Sequence, residues 1–237
     1  MTKEIIILSI TAASIGFFHT IFGPDHYLPF IVISKARKWS LLKTTCITFL
    51  CGLGHVGSSI ILGSLGIALG ISMTKIDKLE SFRGNFAAWL LIAFGLIYFI
   101  WGLRKVIRSK THEHLHYHID GTTHSHLHIH TNEHVHVHAK DETKNLTPWV
   151  LFVIFVLGPC EPLIPILMYP AAKASLTGLV IVSVIFSGVT IVTMISVVII
   201  SSFGLNFIPL RRLERYTHVI AGAVIFLSGI GIQFLGL

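Results

Sequence analysis

Apolar residues run through this chain in long blocks, near 4–34, 41–72, 85–107, 147–172, 175–203 and 214–237, with short polar stretches between them. A helix needs ~20 apolar residues to cross ~30 Å of hydrocarbon, and every block reaches that length. The pattern therefore predicts an all-α membrane protein of six transmembrane helices. The first block continues through Gly23, Pro24 and Asp25 with no small-residue cleavage site after a short apolar core. It is accordingly expected to be a retained span and not a signal peptide.

Composition agrees with the pattern. Of the 237 residues, 53% are hydrophobic and 12% charged, and the mean hydropathy is +0.77. Soluble domains carry roughly 25% charged residues, so this chain lacks the polar surface that a water-soluble fold needs. Cys46, Cys51 and Cys160 all fall inside predicted spans and do not form a disulfide framework. The net charge of +7 sits at span ends. With no basic helix and no stacking aromatics, it does not indicate nucleic acid; lipid and metal ions are the expected partners.

The same charges predict orientation. Thirteen Lys and Arg occupy the loops after spans one, three and five, against five in the N-terminus and the other two loops, where Arg83 is counted. Short cytoplasmic loops collect Lys and Arg. Both termini are thus expected outside, and the segment 108–146 in the cytoplasm.

The chain also repeats itself. Gly23-Pro24-Asp25-His26-Tyr27-Leu28 matches Gly158-Pro159-Cys160-Glu161-Pro162-Leu163 in Gly, Pro and Leu at an offset of 135. Leu79-Glu80 matches Leu213-Glu214 at 134, a register that sets Ala87 on Ala221, Gly95 on Gly229 and Gly102 on Gly236. Three spans per half invert the second copy. The expected organisation is a first repeat at 1–107, a loop at 108–146 and a second repeat at 147–237. A 3+3 inverted repeat is a common transporter plan, with its site where the halves meet.

Both lead spans carry helix breakers in mid-run: Gly23, Pro24 and Pro29 in one, Gly158, Pro159, Pro162 and Pro165 in the other. Proline removes a backbone donor and clashes with the preceding turn, so the first and fourth helices should be broken. Such breaks persist at membrane depth only where protein or a water-filled cavity satisfies the freed backbone.

Ionisable residues collect at the breaks. Asp25 and His26 lie in the first, with His19 upstream; Cys160 and Glu161 lie in the second; His55 lies in span two. Asp25 and Glu161 are the only acids in the interiors of the spans as drawn, with no Lys or Arg at comparable depth. A charge at the bilayer centre costs ~2.5 kcal/mol or more, so a bound cation or a proton is expected to neutralise them. Imidazole, carboxylate and thiolate together suit borderline divalent ions, whereas Mg and Ca favour all-oxygen sites. The expected metal ligands are His19, Asp25, His26, His55, Cys160 and Glu161.

A second histidine array fills the cytoplasmic loop: His112, His114, His116, His118, His124, His126, His128, His130, His134, His136 and His138. His-rich tracts bind metals. Alternation with Leu, Tyr, Ile and Val is compatible with a small hairpin turning at Asp120-Gly121, placed to buffer or sense metal.

The segment Phe18-His19-Thr20-Ile21-Phe22-Gly23-Pro24-Asp25-His26 resembles the His-x4-Asp-His signature of nickel/cobalt transporters, and the matching segment of urease-accessory-type membrane proteins and nickel/cobalt efflux proteins. The spacer here is five residues. The resemblance implies transport of Ni or Co, with Zn or Fe as other cargoes, handled by His19, Asp25 and His26 in the cytoplasmic membrane of a prokaryote. The wider superfamily is similar to thiol–disulfide electron carriers of cytochrome biogenesis, which place a Cys beside Pro in both lead spans. Here Asp25 stands where one of those cysteines would be. That redox reading, and a metal-binding accessory protein that does not transport, are the alternatives.

Overall fold

The computed structural model describes residues 3–108, 112–117, 123–128, 146–160, 162–172, 175–207 and 214–236. These form α1 (Lys3–Phe22), a 3₁₀ turn (Pro24–His26), α2 (Leu28–Ala36), α3 (Leu41–Ala68) and α4 (Met73–Arg108). A hairpin of β1 (His112–Tyr117) and β2 (Thr123–His128) follows. Then come α5 (Thr147–Leu157), α6 (Leu163–Ala172), α7 (Leu176–Phe207) and α8 (Thr217–Ile230), the last extended by a π-helical turn over Gly231–Leu235.

Five helical segments are long and apolar enough to cross a membrane: Lys3–Phe22, Leu41–Ala68, Met73–Arg108, Leu176–Leu205 and Glu214–Leu235. Their outward faces carry large apolar side chains such as Ile10, Phe22, Ile61, Val184 and Ile200, each more than 60% exposed. An apolar surface of this extent belongs in lipid, and the chain has the make-up of an integral membrane protein.

The helices end where the breakers stand, with one refinement. The interruptions span Gly23–Tyr27 and Gly158–Pro162. Pro29 does not break a helix: it is in the first turn of α2, where a missing N–H costs nothing. Pro165 likewise lies in the first turn of α6. Each proline pair thus stops one helix and starts the next.

A larger difference concerns the third span. Its helix begins at Met73, twelve residues before the apolar block does. The first turns of α4 carry Glu80, which is 2% exposed, and Arg83, paired to it. Glu80 is therefore a further acid inside the apolar bundle, and Arg83 is not a loop cation. A hydropathy window ends at the first charges; the helix continues because these two charges satisfy each other inside the protein.

α4 crosses α8 with backbone-to-backbone contact. A Cβ at Gly95 would lie 2.4 Å from the Phe226 nitrogen, and one at Gly222 would lie 2.3 Å from the Phe99 nitrogen. Gly102 faces Val219, and Gly229 faces Ile92. Small residues permit this approach in membranes, where van der Waals packing drives association. The main apolar core joins α2, α3, α5 and α7 through Phe30, Ile33, Cys51, Leu151, Phe155 and Met194. Elsewhere α1 packs on α7, and α5 on α3.

In the hairpin, antiparallel pairing sets His112 opposite His128, His114 opposite His126 and His116 opposite His124. Residues two apart share a face of a strand, so six histidine positions share one face. The Asp120-Gly121 turn and His118, His130, His134, His136 and His138 lie outside the described residues.

Candidate metal centre

Three of the expected ligands meet. His19 near the end of α1, His26 in the 3₁₀ turn and His55 in mid-α3 bring ring nitrogens within 4.8 Å of one another. His26 and His55 are buried, and His19 is partly buried. On a straight helix residues seven apart lie on nearly the same side but ~10 Å from each other along the axis. The break closes that gap: the two rings approach to 4.7 Å between centroids.

Local backbone chemistry sets this geometry. Gly23 ends α1, and the His26 ring folds back over it, so closely that a Cβ at Gly23 would lie 2.5 Å from His26 Nδ1. That nitrogen donates to the Gly23 carbonyl at 3.1 Å and to Asp25 Oδ1 at 3.1 Å. Both partners accept, so Nδ1 bears the hydrogen and Nε2 of the neutral ring presents a lone pair, a tautomer assigned from the network. The His55 ring lies against the end of α5, its Nδ1 3.4 Å from where a Cβ at Gly158 would stand. Its Nε2 lies 3.2 Å from Nε2 of His26.

Two nitrogens bound to one ion at ~2.0–2.1 Å stand ~3.3 Å apart in a tetrahedron and ~2.9 Å apart when adjacent in an octahedron. The observed 3.2 Å falls within that interval. Nε2 of His19, buried and without a hydrogen-bond partner, supplies the third position. Asp25 contacts His26 Nδ1, as carboxylates behind metal-binding imidazoles do, fixing tautomer and raising basicity.

A cavity of about 720 Å³ reaches the cluster, lined by Ser14, His19, Asp25, Asn85 and Gln233 among others. It adjoins a smaller hollow bounded by Asp25, His26, His55, Phe155 and Pro159. Asp25 and His26 border both.

The remaining expected ligands stand elsewhere. Cys160 is fully buried in an apolar cluster with Ala12, Val56 and Leu163, and its backbone N–H donates to Ser59 Oγ at 3.1 Å. It is not part of the histidine group. No disulfide involves Cys46, Cys51 or Cys160. Glu161 lies outside the described residues.

Sequence reasoning missed what holds the second break. Arg83 Nη2 donates to Ser58 Oγ at 2.7 Å and to the Val156 carbonyl at 3.0 Å, with the Gly158 carbonyl at 3.5 Å, while Nη1 pairs with Glu80. An i, i+3 acid–base pair just before an apolar block was the available signal.

Comparison with models of known protein families, with curated proteins and with solved structures finds no match.

Proposed function

We propose that the protein carries a divalent transition-metal cation across the bilayer, with His19, His26 and His55 as the ligand set at mid-path. The observation that carries this reading is the pair of Nε2 atoms 3.2 Å apart. The two Nε2 atoms are buried and within hydrogen-bond distance of each other, and a cation between them replaces that contact with coordination to both rings.

The inverted-repeat reading belongs to the same proposal. α5 and α6, at 11 and 10 residues, together have the length of one crossing at ~1.5 Å per residue and make the sixth in this reading. The Gly95·Phe226 contact becomes the Ile92·Gly229 contact when 134 residues are added to one partner and subtracted from the other. The lead segments exchange partners in the same sense, α1 against α7 and α5 against α3. Both relations support two halves related by a two-fold axis in the membrane plane.

Three imidazoles favour Ni, Co or Zn over Mg or Ca. In this reading the ion enters by the cavity between α1, α4 and α8, and sheds water as the histidines replace it. The His-rich hairpin lies on the opposite, cytoplasmic side by the charge distribution, and gathers or buffers the same ion there. Glu161 remains part of the proposal as a carboxylate of the second break.

Ion uptake into proteoliposomes tests the reading, with Ni, Co, Zn and Fe compared in wild type and His26→Ala. Selective uptake that the substitution removes is the expected result. Tight binding without uptake would leave an accessory protein, and absence of both binding and uptake would reject the metal site.

A further inference from the structure

We infer that Arg83, held by Glu80, is a positioning residue that aims the His55 imidazole at the cation site. The inference rests on the metal-site reading above. It starts from the break at Gly158–Pro162, where the last carbonyls of α5 lose their helical donors. Arg83 takes their place at Val156 and Gly158. Its side chain is 15% exposed and that of Glu80 is 3% exposed, so neither charge has enough water to stand alone.

Two connections run from this pair to His55. Along the first, Arg83 fixes the end of α5 at Val156 and Gly158, and the Gly158 backbone lies against the His55 ring, a Cβ there standing 3.4 Å from Nδ1. Along the second, Arg83 donates to Ser58 Oγ at 2.7 Å, and Ser58 donates in turn to the His55 carbonyl at 2.9 Å. One guanidinium thus fixes both the backbone that carries His55 and the backbone packed against its ring. Arginine suits the task because its planar fork holds several acceptors in fixed directions, which a lysine ammonium does not. The second broken helix, which gives no histidine of its own, then contributes to the site through the Gly158 backbone against the His55 ring.

The test is Co(II) binding to the full-length protein in detergent, read by the visible ligand-field bands and by titration. Arg83→Gln is expected to weaken Co(II) binding about 10- to 100-fold, the usual cost of removing an outer partner of a ligand, and to alter the band shape. Arg83→Lys should recover part of the affinity. In a His55→Ala background, Arg83→Gln should change nothing further, which a general loss of packing would not reproduce. If Arg83→Gln does not fold, Glu80→Gln combined with Arg83→Met removes the charge pair together, a replacement buried pairs often tolerate, and the same loss is expected. A folded variant that keeps wild-type affinity and spectrum, or an equal loss in the His55→Ala background, would overturn the inference. Failure of the wild-type protein to bind Co(II) would instead overturn the metal-site reading.

Discussion

Nε2 of His26 and Nε2 of His55 lie 3.2 Å apart although 29 residues separate them in the chain. His26 is tethered on its far side to Gly23 and Asp25, and His55 Nδ1 lies against the Gly158 backbone. Each imidazole nitrogen donates or accepts according to the tautomer, and the two Nε2 atoms are within hydrogen-bond distance of each other. His19 closes the third side.

Replacing His26 or His55 with Ala should lower affinity for Ni, Co or Zn by ~100-fold or more, since direct ligands matter at least as much as their outer partners. His19→Ala should cost less, because its ring is the least enclosed of the three. Isothermal titration of the purified protein checks the order. Equal affinities across the three variants would contradict the assignment.

Asp25→Asn retains an acceptor for His26 Nδ1 and loses the charge, so affinity should fall about 10-fold; Asp25→Ala loses both and should fall about 100-fold. Gly23→Ala should behave like Asp25→Ala, because its Cβ would lie 2.5 Å from His26 Nδ1 and push the ring aside. The three variants share one titration. An unaffected Gly23→Ala protein would mean that the His26 ring lies elsewhere.

The α4–α8 crossing should resist any added carbon. Gly95→Ala and Gly222→Ala place a Cβ 2.4 and 2.3 Å from backbone nitrogen. Each should cost about 1–3 kcal/mol, the usual range for overpacking. Gly57→Ala and Gly188→Ala, with nothing within 4 Å, serve as controls expected to be neutral. Unfolding midpoints in detergent micelles decide the matter.

Changing His112, His114, His116, His124, His126 and His128 to Ser should reduce the number of ions bound per chain and leave the tightest site untouched. The hairpin register places these residues on one strand face, away from the sequence positions of the membrane cluster. Equilibrium dialysis with Zn, followed by vesicle uptake, reads both quantities. Loss of the tightest site would contradict two independent metal-binding regions.

Much of the fold follows from the sequence alone. Block length marked the five helices long enough to cross, because hydrocarbon thickness sets a minimum number of apolar residues, while the block at 147–172 holds α5 and α6, neither long enough alone. The Gly-Pro pairs located both interruptions, because proline removes a donor wherever it falls. His19, His26 and His55 were legible as unusual polar residues inside apolar runs. What the chain could not show was mutual arrangement. Whether Asp25 meets an ion or His26, whether Cys160 joins the histidines or the apolar cluster around Val56 and Leu163, and whether Glu80 and Arg83 lie in a loop or inside the bundle depend on which helices touch. Those contacts are set by small residues such as Gly95 and Gly222 and by hydrogen bonds across the breaks. Such forces act between segments distant in sequence, so tertiary packing alone decided them.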